Sequence, residues 1–217
     1  MTRRSVWVDA FRSAPWRRSL LVGLVASIAL AFLVPAVFAA VRQRPGAVPW
    51  EPVLPHLPAL QLSVPIFTVQ YATIALVAVR LVRRPGLLPR AVHAVALLVT
   101  LRMVTIGMVA LDPPPDLVTL QDPINQLLYG GIEPLTRDLF FSGHTALMVL
   151  LVFLAGPGAA RRLAAAAAVA VAVMLVLQHV HWTIDVLAAP AFAALAWWVS
   201  GRTAPAVSGV GPASPGR

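Results

Sequence analysis

A succession of long apolar runs is the feature that most constrains how this chain can fold. The runs cover residues 19–41, 64–82, 91–111, 142–156, 163–177 and 183–199. A helix needs about 20 apolar residues to cross the hydrocarbon core of a bilayer. The chain is 59% hydrophobic and only 12% charged, whereas a soluble domain averages roughly 25% charged residues. The sequence therefore predicts an all-α polytopic membrane protein, a bundle of six transmembrane helices.

Polar segments at both ends frame these runs. We expect a cytoplasmic N-terminal tail at 1–18, a six-helix membrane domain at 19–200 and a flexible C-terminal tail at 201–217, which is rich in Gly, Pro, Ser and Ala. A signal peptide is the rival interpretation of the first run, because Ala39 and Ala40 follow its apolar core. That core is longer than the roughly 7–15 residues of a signal peptide, so we expect a retained helix.

The connections between the runs differ in character. Residues 42–63 are rich in proline, which favours extended structure, and residues 112–143 form the longest loop, with five acidic residues. Arg161 and Arg162 are expected in a tight turn between two runs. The joint at 178–182 contains neither Gly nor Pro. One helix over 163–199 would be about 55 Å long, which exceeds a bilayer core, so a tight hairpin is expected there.

The basic residues, all of them arginine, are distributed unevenly. With six spans, 13 of the 17 lie on the side that holds both termini, and three lie on the opposite side. The positive-inside rule then places both termini in the cytoplasm of a multi-pass cell-membrane protein. His144, His179 and His181 all fall on the extracytoplasmic side. The net charge of +9 is explained by this topology signal, and no basic groove with interleaved aromatic residues indicates nucleic-acid binding.

The first stretch that contains candidate catalytic residues is His181-Trp182-Thr183-Ile184-Asp185. On a helix, residues four apart share a face, so His181 and Asp185 are expected to meet. A carboxylate beside an imidazole fixes its tautomer and stabilises its cation, as a nucleophilic or basic histidine requires. The alternative is a buried hydrogen bond that only ties two helices together. Ionisable residues in a membrane helix favour the functional interpretation.

The second stretch is Ser142-Gly143-His144. Ser142 is a candidate N-cap of the fourth span, and Gly143 allows a ligand to approach the backbone closely. The free N–H groups of a helix N-terminus suit phosphate, and His144 would stand on the first turn beside them. The alternative is a capped helix with a histidine at the membrane interface.

Together these residues fit phosphoryl transfer in two steps. His181 would attack phosphorus and form a phosphohistidine, and Asp185 would orient it. His144 would protonate the departing oxygen and then deprotonate the acceptor hydroxyl. Arg102, inside the third span, would neutralise the phosphate, although a salt bridge to an acid such as Asp185 is its alternative role. The scheme requires no metal and no cofactor, and the absence of cysteine excludes a thiolate metal site.

Four segments carry a resemblance to a known family. Asp138-Leu-Phe-Phe-Ser-Gly-His-Thr145 and His179-Val-His-Trp-Thr-Ile-Asp185 resemble two motifs of the sphingomyelin synthase family, within the type-2 phosphatidic acid phosphatase-like superfamily. Residues 102–114 resemble its arginine-led motif that ends in prolines, and residues 53–58 are a looser echo of its Pro-Leu-Pro motif, with His56 where an acid is usual.

The resemblance spans about residues 50–190 and implies specific roles. It implies the catalytic triad His144, His181 and Asp185, an outward-facing site, and transfer of a phospho-headgroup from a phospholipid to a lipid alcohol such as ceramide or diacylglycerol. We assign substrate binding to a second group of residues, in which His179 contributes indirectly at most because it faces away from His181 on a regular helix. This group comprises Arg102, Asp138, Ser142, Gly143 and His179.

Departures from the superfamily pattern leave alternatives open. The chain has no lysine, so the lysine-led motif of the broader phosphatases is absent, and Leu175 stands where those phosphatases carry an arginine. Both departures favour the transferase branch. A lipid phosphate phosphatase that uses water as the acceptor would share the same intermediate. A noncatalytic transporter or scaffold is the alternative from another class, but transporters tend to show internal repeats, and none is visible here.

Overall fold

The computed structural model describes residues 3–42, 44–122 and 139–204. Within these ranges the regular elements are helices, joined by two 3-10 turns at Leu54–His56 and Pro85–Leu87. The helices are α1 (Arg3–Arg12), α2 (Ala14–Arg42), α3 (Ser63–Arg83), α4 (Leu88–Met108), α5 (Gly143–Ala155), α6 (Ala159–Leu177) and α7 (Thr183–Thr203). The described residues contain no strand, so the predicted all-α class is confirmed for them.

Five of these helices are long and apolar enough to cross a membrane, namely α2, α3, α4 with its preceding turn, α6 and α7. This is compatible with the predicted polytopic membrane protein. The remaining predicted span corresponds to α5, which has 13 residues and is therefore only about 20 Å long. By length alone α5 falls short of a hydrocarbon core of about 30 Å.

Helix α5 forms the centre of the core. Its Ala146, Met148 and Leu150 are fully buried, and it packs mainly against α6 and α7, with further contacts to α3 and α4. Just before it, the Phe141 ring stacks on Phe192 of α7 with ring centroids 4.1 Å apart. Helix α2 packs chiefly along α4 and leaves most of its surface open, with Phe32 82% exposed. Such an apolar surface is stable where it faces lipid.

The helix ends meet in two groups. The histidine end contains the ends of α2, α4 and α6 and the starts of α3, α5 and α7, and the arginine end contains the opposite helix ends. At the histidine end, the Leu60 N–H before α3 donates to the Leu177 carbonyl at the end of α6 (2.8 Å). At the arginine end, His93 of α4 contacts the Ser19 carbonyl of α2 (2.9 Å) and the Thr203 hydroxyl of α7 (3.2 Å). From α2 to α7, successive helices thus run in alternating directions between the two ends.

The N-terminal segment contains more structure than the predicted tail. Residues 3–12 form α1, and α2 begins at Ala14, before the predicted start at residue 19. Trp16 is only 1% exposed, and its indole N–H donates to the Pro85 carbonyl (2.9 Å). The indole of Trp7 donates to Val82. Burial of the Trp16 indole against the turn after α3, together with the Trp7 hydrogen bond to the end of α3, holds α1 in place.

Several helix boundaries differ from the prediction. Helix α7 extends to Thr203, past the predicted end at residue 199 and into the predicted C-terminal tail. Arg161 and Arg162 belong to the first turn of α6, because the turn that precedes it is formed by residues 156–158. Helix α4 ends at Met108 rather than near residue 111, and Leu111 pairs instead with Ala47 in a single parallel bridge. The prolines at 113–115 favour extended backbone before them. The predicted hairpin at 178–182 is present, with His179 at a φ of 55°.

Candidate active site

The start of α7 brings His181 and Asp185 together. His181 Nδ1 lies 3.4 Å from Asp185 Oδ2, and both side chains are almost fully buried. The predicted contact therefore exists, but the reason for it differs. His181 precedes the helix, whose N-cap is Trp182, so the two residues do not share a helix face. Asp185, the third residue of α7, reaches back to accept the Trp182 backbone N–H (3.1 Å) and thereby meets the imidazole.

The start of α5 lies beside the start of α7. The Ser142 hydroxyl accepts the Thr145 backbone N–H (3.3 Å), as the predicted N-cap. The Ser142 backbone N–H donates to the Asp185 carbonyl (3.0 Å). His144, the second residue of α5, is half-buried and meets the Phe67 ring edge-on, with centroids 5.7 Å apart. One backbone hydrogen bond thus joins the two histidine stretches, 37 positions apart in the chain.

Arg102 of α4 completes this group of residues. Its guanidinium donates to the Phe141 carbonyl and lies against Gly143, where an added Cβ would be only 3.1 Å from Arg102 Nε. The neighbouring Thr105 hydroxyl donates to the Phe140 carbonyl (2.8 Å). The close approach that Gly143 allows is therefore made by the Arg102 side chain, which places a positive charge at the N-terminus of α5.

The two remaining predicted substrate-binding residues have different outcomes. Asp138 lies outside the described residues. His179 is 4% exposed, and its buried Nε2 has no hydrogen-bond partner among the residues that the structure describes. It occupies the tight turn between α6 and α7 rather than a helix, so the helical argument for its direction does not apply.

Glu51 is a site-forming residue that the sequence did not reveal. Its carboxylate accepts the Thr183 backbone N–H (2.8 Å) and the Thr183 hydroxyl (3.0 Å) at the first residue of α7. It also accepts the backbone N–H groups of Val53 and Leu54. Burial raises the pKa of Glu51, but the hydrogen bonds from Thr183, Val53 and Leu54 outweigh it, and the net pKa lies below its ordinary value. No spacing pattern links residue 51 to residue 183.

Gln178 is a second residue that helps to form the site and that the sequence did not reveal. It is fully buried in the hairpin, where its amide oxygen accepts the Leu62 N–H (3.0 Å) and its amide nitrogen donates to the hydroxyl of Ser63 (2.9 Å) and the carbonyl of Val118 (3.2 Å). It therefore ties both outer loops to the turn that carries His179 and His181. A buried glutamine in an apolar chain is the signal that could have identified it, since buried polar groups are hydrogen-bonded.

Chemically, the arrangement combines a carboxylate-supported imidazole, a second imidazole at a helix N-terminus and a guanidinium. Within 3–42, 44–122 and 139–204, no group of three or more His, Cys, Asp or Glu side chains is placed to hold a metal ion. The described groups suit nucleophilic group transfer with acid–base assistance and a site for an anion.

Fold and site together define a helical protein with several apolar helices of membrane-spanning length and two adjoining histidine stretches at one end of its bundle. Residues 137–202 match the family model described as PAP2 superfamily C-terminal. This range includes α5, α6, all of α7 but its last residue, and both histidine stretches. This match supports a relationship with the type-2 phosphatidic acid phosphatase-like superfamily, whose members are phosphatases and phosphotransferases. The comparisons found no match among curated proteins and none among solved structures.

Proposed function

We propose that this protein is an integral membrane lipid phosphotransferase of the sphingomyelin synthase type. It would move a phospho-headgroup from a phospholipid to a lipid alcohol through a phosphohistidine. The observation that carries the proposal is the contact of His181 Nδ1 with buried Asp185 (3.4 Å), joined to the start of α5 by the Ser142–Asp185 backbone hydrogen bond. The superfamily match over 137–202 supports the same general chemistry.

In the first step, His181 is the nucleophile. With its proton on Nδ1 facing Asp185, the Nε2 lone pair is available to attack phosphorus. A nitrogen–phosphorus bond forms while the bond from phosphorus to the leaving lipid oxygen breaks. The Asp185 carboxylate stabilises the positive charge that develops on the imidazole.

His144 handles the proton in both steps. It donates a proton to the departing lipid oxygen, and it then accepts one from the hydroxyl of the incoming alcohol, whose oxygen attacks phosphorus and releases His181. The Arg102 guanidinium, held at the N-terminus of α5 by Phe141 and against Gly143, faces the charge on the transferred phosphate. Asp138 and His179 remain candidates for substrate binding.

The site would face the extracytoplasmic side of the cell membrane. Of the described arginines, only Arg42, Arg44 and Arg102 lie toward the histidine end, and the others belong to segments at the arginine end. The positive-inside rule assigns the arginine-rich end to the cytoplasm. Both substrates are lipids, so they reach the site from the membrane itself.

A headgroup-transfer assay tests the proposal. Purified protein in lipid receives labelled phosphatidylcholine, phosphatidylethanolamine or phosphatidic acid, with ceramide or diacylglycerol as the acceptor. The wild type should transfer the label to the acceptor, and His181→Ala should abolish transfer. His144→Ala should slow it by about 10²–10⁴-fold, and Asp185→Asn should slow it strongly while the fold remains. His56→Ala, an exposed histidine outside the site, is the matched control and should retain full activity.

Two other results would overturn parts of this scheme. Release of free phosphate from a phosphomonoester, without transfer to any alcohol, would identify a lipid phosphatase that uses water. Undiminished transfer after replacement of both His144 and His181 would remove the histidine mechanism altogether.

A further inference from the structure

Arg80, near the end of α3, is a half-buried cation outside the site described above. Its Nε is buried without a hydrogen-bond partner, and within the described parts of the chain its guanidinium makes no hydrogen bond or ion pair. A guanidinium carries five N–H donors, and burial of unpaired polar groups is costly. The Nε of Arg90 at the same end is also buried without a partner, but the Arg90 guanidinium donates to the Trp197 carbonyl (3.0 Å) and stacks on its ring, which the Arg80 guanidinium does not.

Gly156 provides the space for this guanidinium. The residue follows α5 and has a φ of +64°, and an added Cβ would lie only 1.9 Å from Arg80 Nη2. Any side chain at 156 would therefore displace the guanidinium. The turn from α5 to α6 thus leaves room for a cation beside the C-terminal end of α5.

The surroundings of Arg80 are basic. Four exposed arginines lie at the same end, namely Arg83, Arg84, Arg161 and Arg162. The positive charge of Arg84 repels that of Arg80. Among the acidic residues that the structure describes, only Asp9 belongs to an element at this end. Since no carboxylate pairs with Arg80 there, the partner that this cluster fits is an external anion.

We propose that Arg80, in the space left by Gly156, binds the phosphate group of an anionic phospholipid in the leaflet at the arginine end. Arg80 lies in the last turn of a candidate span, and the ends of a membrane span lie next to the lipid headgroups. A guanidinium matches phosphate oxygens bidentately, and the surrounding arginines attract the same leaflet's anionic lipids. This site is separate from the histidine end and independent of turnover there.

Lipid retention measured on the full chain tests this site. Wild type, Arg80→Gln and Arg12→Gln are reconstituted in zwitterionic bilayers that contain a minor fraction of phosphatidylglycerol. Native mass spectrometry then measures the anionic lipid that remains bound after extraction. Arg80→Gln should retain about tenfold less, the scale of one lost charged hydrogen bond. Arg12→Gln removes the same charge from an exposed position of α1, outside the cluster around Arg80, and should behave like the wild type.

Further variants and ligands make the result decisive. If Arg80→Gln fails to fold, Arg80→Lys keeps the charge without the fork and should retain an intermediate amount. Equal retention by wild type and the folded Arg80 variant would overturn the proposal. So would a thermal stabilisation of the wild type by inorganic phosphate that phosphatidylglycerol does not produce, because the site would then be one for a free anion.

Discussion

Asp185 serves both the local fold and the candidate chemistry. As the third residue of α7 it accepts the Trp182 N–H, and the same oxygen faces His181 Nδ1. A carboxylate in the first turn also interacts favourably with the positive end of the helix dipole. The side chain is fully buried, so its orientation is fixed by these contacts. The helix cap thus positions the group that would support His181 as the proposed nucleophile.

Glu51 acts on the same helix start from outside. Replacement by Gln keeps the size of the side chain but removes its charge, and we expect a loss of about 1 kcal/mol, the usual scale of a helix cap. Because the folded pKa of Glu51 is lowered from its usual value of 4.5, its stabilising contribution is full above that pH and is lost as the pH falls through the lower, folded pKa. Thermal unfolding of wild type and Glu51→Gln, followed from pH 7 down to acidic pH, measures how much the Glu51 charge stabilises the protein at each pH.

We expect the difference in unfolding temperature between wild type and Glu51→Gln to be largest at neutral pH and to become smaller below the usual pKa of a glutamate. A gap that stayed constant across this range would show that the Glu51 charge does not stabilise the start of α7. His56→Ala, in the same loop, serves as the control and should leave the unfolding temperature unchanged at neutral pH.

At the scale of elements, the hairpin between α6 and α7 is the part that organises the histidine end. It places His181 next to the start of α7, and Gln178 fastens the loops before α3 and after α4 to it. The Trp182 indole adds a hydrogen bond to the Asp112 carbonyl (2.9 Å). The hairpin therefore depends on partners that are distant in the sequence.

Gln178→Ala should destabilise the protein by about 1–3 kcal/mol, because it leaves buried partners such as the Leu62 N–H without their hydrogen bond. Gln70→Ala is the matched control, since Gln70 is also buried but its amide oxygen has no partner in the described structure. Unfolding of both variants in the same detergent should show the larger loss for Gln178. Equal losses would mean that Gln178 contributes only packing.

At the scale of the whole molecule, charge separates the two ends. The histidine end carries the acids Glu51, Asp112, Asp116, Asp122 and Asp185, whereas the arginine end carries most of the basic residues. This asymmetry bears on two features of the protein, its orientation in the membrane and the anionic-lipid site at Arg80. The predicted orientation requires the short helix α5 to cross the bilayer. If α5 crosses, the residues before it and after it face opposite compartments.

Single-cysteine labelling tests this topology, and the natural chain has no cysteine to interfere. Val48 is 69% exposed, so Val48→Cys should react with a membrane-impermeant maleimide on intact cells. Arg161→Cys, after α5, should react only when the cells are permeabilised. Reaction of both in intact cells would show that α5 does not cross, and the reverse pattern would place the candidate site in the cytoplasm.

The sequence alone predicted the helical class, most helix positions and the His144, His181 and Asp185 part of the candidate site, because these follow from local patterns. Apolar runs of membrane length, Ser142 as a cap and the four-residue interval between His181 and Asp185 are all properties of neighbouring positions. Helix ends were less predictable where packing set them, as at α1, whose order depends on the burial of Trp16 against Pro85.

Only the tertiary structure decided how the pieces meet. Glu51 reaches Thr183 across 132 positions, Gln178 reaches Leu62 across 116, and Arg80 comes to lie against Gly156. No periodicity or motif encodes such pairs, since a hydrogen bond of this kind forms only after helix packing brings its donor and acceptor together. The sequence specified which groups the chain carries, and the packing of the bundle specified which of them share a site.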